Sequence, residues 1–249
     1  QHHHRISFAR LLLLVFFLSL WETAARLAWI DSFFFSSPSA ILTYLAQMLR
    51  DYTFFTHTGI TLLETVLSFL LVTFFSLLCS TLLWYQKSLS EILEPYLVVL
   101  NSLPKSALAP LLIVWLGTGT NTIIVAGISV AVFGSIISLY TGFCQADPEM
   151  LKLIYTLGGN RRDAFFKVIF PSSIPLILSN MKINIGLSLV GVIIGEFLAA
   201  RRGLGYLIIY GSQVFQLNMV ITSILILCAI AMCFYKLIQS LEHFYRKKI

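Results

Sequence analysis

Long apolar runs separated by short polar clusters divide this chain. Six of them approach the roughly 20 residues needed to cross the ~30 Å hydrocarbon core of a bilayer: about Phe8–Ile30, Gly59–Trp84, Pro95–Gly117, Thr122–Phe143, Leu176–Leu198 and Met219–Ile238. All six are predicted to be helical, because a chain in lipid must close its backbone hydrogen bonds internally. No alternating pattern of about ten residues per segment suggests a barrel. The first run differs from a signal peptide: it lacks a small-residue cleavage site and continues through Trp21 and Trp29, which suit an interfacial belt. Residues 1–7 read as a short tail, and residues 8–249 as a single transmembrane domain.

Two polar stretches carry their own helix signals. In "SSPSAILTYLAQMLRD", Ser37 followed by Pro38 predicts a capped helix start and a short amphipathic helix along the outer surface. The longer stretch, 144–175, lies between the fourth and fifth runs. Within it, "ADPEMLKLIYTLGG" predicts a helix with an acidic start, an apolar stripe at Met150, Leu153, Ile154 and Leu157, and a stop at Gly158 and Gly159. "NRRDAFFKVIFP" predicts a second, capped at Asn160, apolar at Ala164, Phe165, Val168 and Ile169, and closing before Pro171. The result is an elbow carrying exposed aromatic and basic side chains, and an exposed apolar knob marks a docking site.

Composition agrees with the pattern: 58% hydrophobic and 11% charged, with a mean hydropathy of +0.87. Soluble domains carry about 25% charged residues, so the whole is expected to be an all-α integral membrane protein. The net charge of +6 does not point to nucleic acid, since the basic residues sit at the ends of the apolar runs. With the N-terminus inside, twelve Lys and Arg fall on the cytoplasmic side (Arg5, Arg10, Lys87, Lys152, Arg161, Arg162, Lys167, Lys182, Lys236, Arg246, Lys247 and Lys248). Four fall outside (Arg26, Arg50, Arg201 and Arg202), which puts both termini in the cytoplasm. The four cysteines show no C-x-x-C spacing and read as buried small hydrophobes. His2, His3 and His4 look like the remnant of a purification tag, and no metal site is expected.

Several intramembrane residues are candidates for a translocation pathway or gate. Gly127, Ala131 and Ser135 recur every four residues in the fourth run, and Gly191 and Gly195 form a G-x-x-x-G step in the fifth. Such residues either let helices approach closely or line a passage, and both readings stand. Glu64 and Glu196 are ionisable groups within runs, where burial is costly and function is the first presumption, with a solvated or paired structural role beside it. Lys105 follows Asn101 and Pro104 in a run interrupted by prolines at 104 and 110. That break predicts either a kinked helix beside a pathway or a lysine that snorkels to the inner surface.

Five motifs occur in order: "SSPSAILTYL", "TLLETVLSF", "LPKSALAPLLIVWLG", "LGGNRRDAFFKVIFPSSIP" and "GEFLAARRGLGYLI". Together, over nearly the whole chain, they resemble the permease subunits of type I ABC importers of the nitrate, sulfonate, taurine and thiamine-precursor group. The spacing from Gly158 to Val168-Ile169-Phe170-Pro171 is similar to that family's "EAA" loop. The resemblance implies a six-helix permease fold, a homodimer, two ATP-binding cassette ATPase subunits that carry ATP and Mg, and an extracytoplasmic binding protein. It also implies a coupling loop at 144–175 that grips the ATPase through Lys152, Leu153, Leu157, Gly158, Arg161, Arg162, Ala164, Phe165, Val168, Phe170 and Pro171. Gly203 and Gly205 of "GLGYLI" would lie at the outer gate. Two positions depart from the family: Lys152-Leu153-Ile154 stands in place of E-A-A, and Glu64 stands where many sulfonate-type relatives carry a basic residue. The second departure tilts the resemblance toward a thiamine-precursor-like cargo.

No G-x-x-x-x-G-K-[ST] loop is present to cradle phosphates, so ATP hydrolysis is expected on a partner and this subunit is expected to be non-catalytic. No H-E-x-x-H motif suggests an intramembrane protease. An ion-coupled secondary transporter is the alternative. It predicts more carboxylates at mid-bilayer and an internal repeat, and the chain shows neither.

Overall fold

A computed structural model of the chain describes residues 2–246. Gln1 of the expected tail, and Lys247 and Lys248 of the orientation count, lie outside the described residues. Twelve α-helices and one π-helical turn follow one another among the described residues. They are α1 (His2–Arg26), α2 (Ser32–Phe35), α3 (Pro38–Arg50), α4 (Thr53–Tyr85), α5 (Lys87–Ser102) and α6 (Lys105–Leu116). Then come α7 (Thr120–Cys144), α8 (Pro148–Thr156), α9 (Arg161–Ala164), a π turn (Phe165–Ile169), α10 (Phe170–Ala199), α11 (Leu204–Gln213) and α12 (Leu217–Arg246). Helices α4, α7 and α12, and the continuous stretch from Arg161 to Ala199, are each long and apolar enough to cross a membrane.

The chain forms two compact units, residues 1–60 with 202–228, and residues 61–201 with 229–249. In the first, α3 begins as its sequence predicts: Pro38 occupies the first turn and the Ser37 hydroxyl accepts the Ala40 N–H at 3.2 Å. The Glu22 carboxylate of α1 accepts the Ser39 N–H at 3.1 Å and pairs with Arg26. Ser36 bonds to Asn218 at 2.6 Å, so a buried hydroxyl finds its partner on α12.

The second unit is built on α7 and α10, which pack together along most of their length. Small residues permit this. A methyl group on Gly191 would sit 2.7 Å from the Gly127 Cα, and one on Gly195 would sit 2.9 Å from the Ile123 Cα. Both helices therefore approach backbone to backbone, as glycine seams allow in membranes. Ser135 donates to Asn180 at 2.8 Å and accepts from Asn184 at 2.9 Å, satisfying three buried polar side chains at the same contact. Where the third apolar run was expected to kink, it breaks: α5 and α6 meet at 97° around Leu103-Pro104. Pro104 lacks the N–H that would continue α5 and holds Leu103 in extended backbone, which ends the helix there.

Two expectations of local structure fail here: the cysteines are not buried, with Cys79 half-buried and Cys144, Cys228 and Cys233 exposed, and the second elbow helix does not end where its sequence predicts. The helix beginning at Arg161 does not close before Pro171 but runs on into α10. The π turn is the reason. Its wider winding pairs the Phe170 N–H with the Phe165 carbonyl, five residues back, just where Pro171 would otherwise strain an α-helical ladder.

Candidate functional site

The elbow between α7 and α10 is built from local signals that agree. The Asp147 carboxylate accepts the Glu149 N–H at 2.9 Å and starts α8, with Pro148 in the first turn. At the far end, Gly159 N–H reaches the Ile154 carbonyl (2.9 Å) and Gly158 N–H reaches that of Tyr155 (3.1 Å). This Schellman motif needs a left-handed residue, and Gly158 supplies it at φ +80°. Space is not the constraint at Gly158, since a methyl group there would meet nothing within 4 Å. At Gly159 it is: the same methyl would lie 2.6 Å from Ile154 Cγ2. Asn160 then opens α9 in a reciprocal capping box with Asp163, whose carboxylate also pairs with Lys167 at 2.8 Å.

Two aromatic neighbours divide the work of this elbow. Phe165 is 2% exposed and sits in a core cluster with Leu139, Phe143, Ile169 and Ile177, against Trp84 and Tyr85. Phe166 is 64% exposed. Arg161 stacks over the Trp84 ring at 5.2 Å and donates to the Trp84 carbonyl at 3.0 Å, tying the elbow to the end of α4. The outward surface is a ridge of Met150, Leu153, Leu157 and Phe166, with Leu157 75% exposed, edged by Lys152 and Arg162. Ala164 and Phe165, expected on the docking face, are instead buried anchors, and Val168 is half-buried. Phe170 and Pro171 remain on the surface at the start of α10. Phe166 was not among the expected residues. Its signal is its position just off the apolar stripe of Ala164, Phe165, Val168 and Ile169.

The intramembrane candidates fall into separate places. Ser135, Gly191 and Gly195 lie inside the α7–α10 contact. Glu64 and Glu196 are brought together from α4 and α10. They are 1% and 0% exposed, and Glu64 Oε2 is buried without a hydrogen-bond partner among the described residues. The Thr61 hydroxyl donates to Glu196 Oε1 at 2.6 Å. Lys105 stands at the α5–α6 break, donates to the Leu100 carbonyl and lies 5.2 Å from the Phe133 ring centroid. It therefore satisfies a carbonyl that the end of α5 leaves open. Asn101, just before that break, packs its amide against Gly134 of α7.

In the first unit, Gly203 adopts φ +117° and donates its N–H to His57 Nδ1 at 3.0 Å, while Gly205 is buried in α11. The His57 ring stacks on Tyr206, and Tyr206 on Tyr210. His57 lies in the first turns of α4, far in sequence from α11. Only the fold puts it against the "GLGYLI" turn.

Comparison with known proteins gives this arrangement a family. Residues 72–247 match the family described as "Binding-protein-dependent transport system inner membrane component". A probable ABC transporter permease protein of Haemophilus influenzae is 31% identical over 236 residues, covering 94% of each chain. The formylaminopyrimidine transport permease protein ThiX of Halalkalibacterium halodurans is 29% identical, covering 77% of each. In fold, the chain is similar to a chain of the MetNI methionine ABC transporter in an inward-facing conformation, with a TM-score of 0.62 at 16% identity, covering 72% of this chain and 92% of that one. A helical bundle with several apolar crossings, a capped polar elbow and a match over most of its length make this chain a multi-pass member of the binding-protein-dependent transport inner-membrane family, a permease subunit with the type I ABC importer fold.

Proposed function

We propose that two copies of this chain form the translocation pathway of an ATP-driven importer, and that the elbow is held in a groove of a separate ATPase. The observation that carries this reading is the exposed ridge of Met150, Leu153, Leu157 and Phe166 on a rigidly capped base. Four large apolar side chains facing water at a polar elbow have no use within the chain, and an ATPase socket would bury them. The ATPase supplies ATP and Mg, an external binding protein supplies the cargo, and closure of the two ATPases swings the spans between inward- and outward-facing arrangements. This chain itself contributes no catalytic group. Both termini and the elbow lie in the cytoplasm, following the excess of Lys and Arg on that side.

The hydrogen bond from Thr61 to Glu196, beside the buried Glu64, ties α4 to α10, and the α5–α6 break at Pro104 with Lys105 provides a hinge. Both are positioned to change as the pathway opens. The cargo is a small polar solute such as a sulfonate, a nitrate-like anion or a thiamine or pyrimidine precursor. The ThiX relative's name supports the last of these.

Reconstitution tests the reading. Proteoliposomes holding this permease with its ATPase and binding protein should take up cargo only with ATP, and those holding the permease alone should take up none. Uptake by the permease alone, driven by an ion gradient, would overturn the proposal in favour of a secondary transporter.

A further inference from the structure

The glycines at 127, 191 and 195 are explained by helix contact, but Gly186 is not. It lies in the interior of α10 with helical backbone, where glycine is disfavoured relative to alanine. A methyl group added to it would meet nothing within 4 Å. No contact within the chain accounts for the missing side chain.

Gly186 opens onto a trough of about 360 Å³ between α10 and α12. Its floor is Ile185 and Leu189, both buried, and its wall on α12 is Met232 and Phe234. Ile185 packs with Phe234 and Ile238, so the two helices run antiparallel and the early part of α10 meets the late part of α12. That places Lys182, Tyr235 and Lys236 at one end of an otherwise apolar trough. Lys182 pairs with Glu242 and lies 6.0 Å from the Tyr235 ring centroid. Lys236 is exposed and has no carboxylate within ion-pair distance among the described residues. The trough thus joins a slot for hydrocarbon to one uncompensated ammonium group.

We infer that this trough is a binding site for an anionic phospholipid, with one acyl chain lying across Gly186 and the headgroup phosphate meeting Lys236. Basic pockets between membrane helices recognise lipid headgroups in this way. A second copy of the chain is the less suitable occupant, because a two-fold contact centred on the trough would set Lys236 against its own counterpart. Assigning the lipid to the inner leaflet rests on the cytoplasmic elbow proposed above. The site itself does not, and its test uses neither the ATPase nor transport.

The purified protein is exchanged into mixtures of phosphatidylglycerol and phosphatidylcholine, and retained lipid is counted by native mass spectrometry. A retained phosphatidylglycerol is expected, with about a fivefold preference from a single lysine at the membrane surface. Lys236→Gln should remove the preference while keeping a bound lipid. Gly186→Leu, which enters open space from helical backbone, should release the lipid altogether. Equal retention of the two lipids by the wild type, or wild-type retention in both variants, would overturn the assignment. So would amine crosslinks joining Lys236 to Lys236 of a second copy in native membranes, which would give the trough to the dimer.

Discussion

At the scale of single residues, the elbow separates conformation from contact. Gly158 is needed for its φ of +80° and not for space. An L-residue in that region costs about 1–2 kcal/mol, least for asparagine. Gly158→Val should therefore lower the yield of the assembled transporter, and Gly158→Asn should retain most of it, read by co-purification of the ATPase. Equal yields would show that the Schellman turn is dispensable. The adjacent phenylalanines give a second contrast. Phe165→Ala empties a core site and should cost about 3–5 kcal/mol of stability, seen as a lower melting temperature of the permease alone. Phe166→Ala should leave that stability within about 0.5 kcal/mol and lower ATPase binding instead. If the two variants exchanged these effects, the assignment of anchor and ridge would be wrong.

At the scale of elements, the α7–α10 seam sets what the bundle tolerates. Gly191→Val would place its Cβ 2.7 Å from the Gly127 Cα and 2.8 Å from the Ala126 carbonyl oxygen, and neither backbone can yield without separating the helices. Loss of folded protein in detergent is the expected result, measured by size-exclusion yield. A wild-type yield would mean that the seam is looser than described. Much of this level was legible in sequence. The second, fourth, fifth and sixth apolar runs fall on the four helices long and apolar enough to cross, Ser37-Pro38 located α3, and Asn160 and Gly158 located the elbow's two caps, because each is a local signal with a local cause. The junction at Pro171 was not legible. A proline ordinarily ends a helix, and here the π turn at Phe165–Ile169 accompanies the chain's passage through it. The apolar stripe at Ala164, Phe165, Val168 and Ile169 did mark Phe165 as the inward phenylalanine, and the structure buries it while leaving Phe166 exposed. The Thr61–Glu196 contact was hidden for another reason: it depends on the register between two helices far apart in the chain.

At the scale of the whole molecule, the elbow is proposed as the handle that a separate ATPase grips. The departure of Lys152-Leu153-Ile154 from the family's acidic pattern sharpens this point. Arg161 is folded onto Trp84 and Lys167 is paired with Asp163, which leaves Lys152 and Arg162 as the elbow's outward cations. A charge reversal at Lys152 should weaken coupling to the ATPase more at low salt than at high salt, since exposed charges are screened over about 10 Å at 0.1 M. ATPase activity of the assembled complex across a salt series measures this, and an effect independent of salt would count against an electrostatic contact.

The central claim is most directly tested by placing a photo-crosslinking residue at Leu157 in native membranes. The account predicts that light joins it to a nucleotide-hydrolysing partner on the cytoplasmic side. Adducts confined to lipid, to the permease itself or to proteins outside the cell would contradict it.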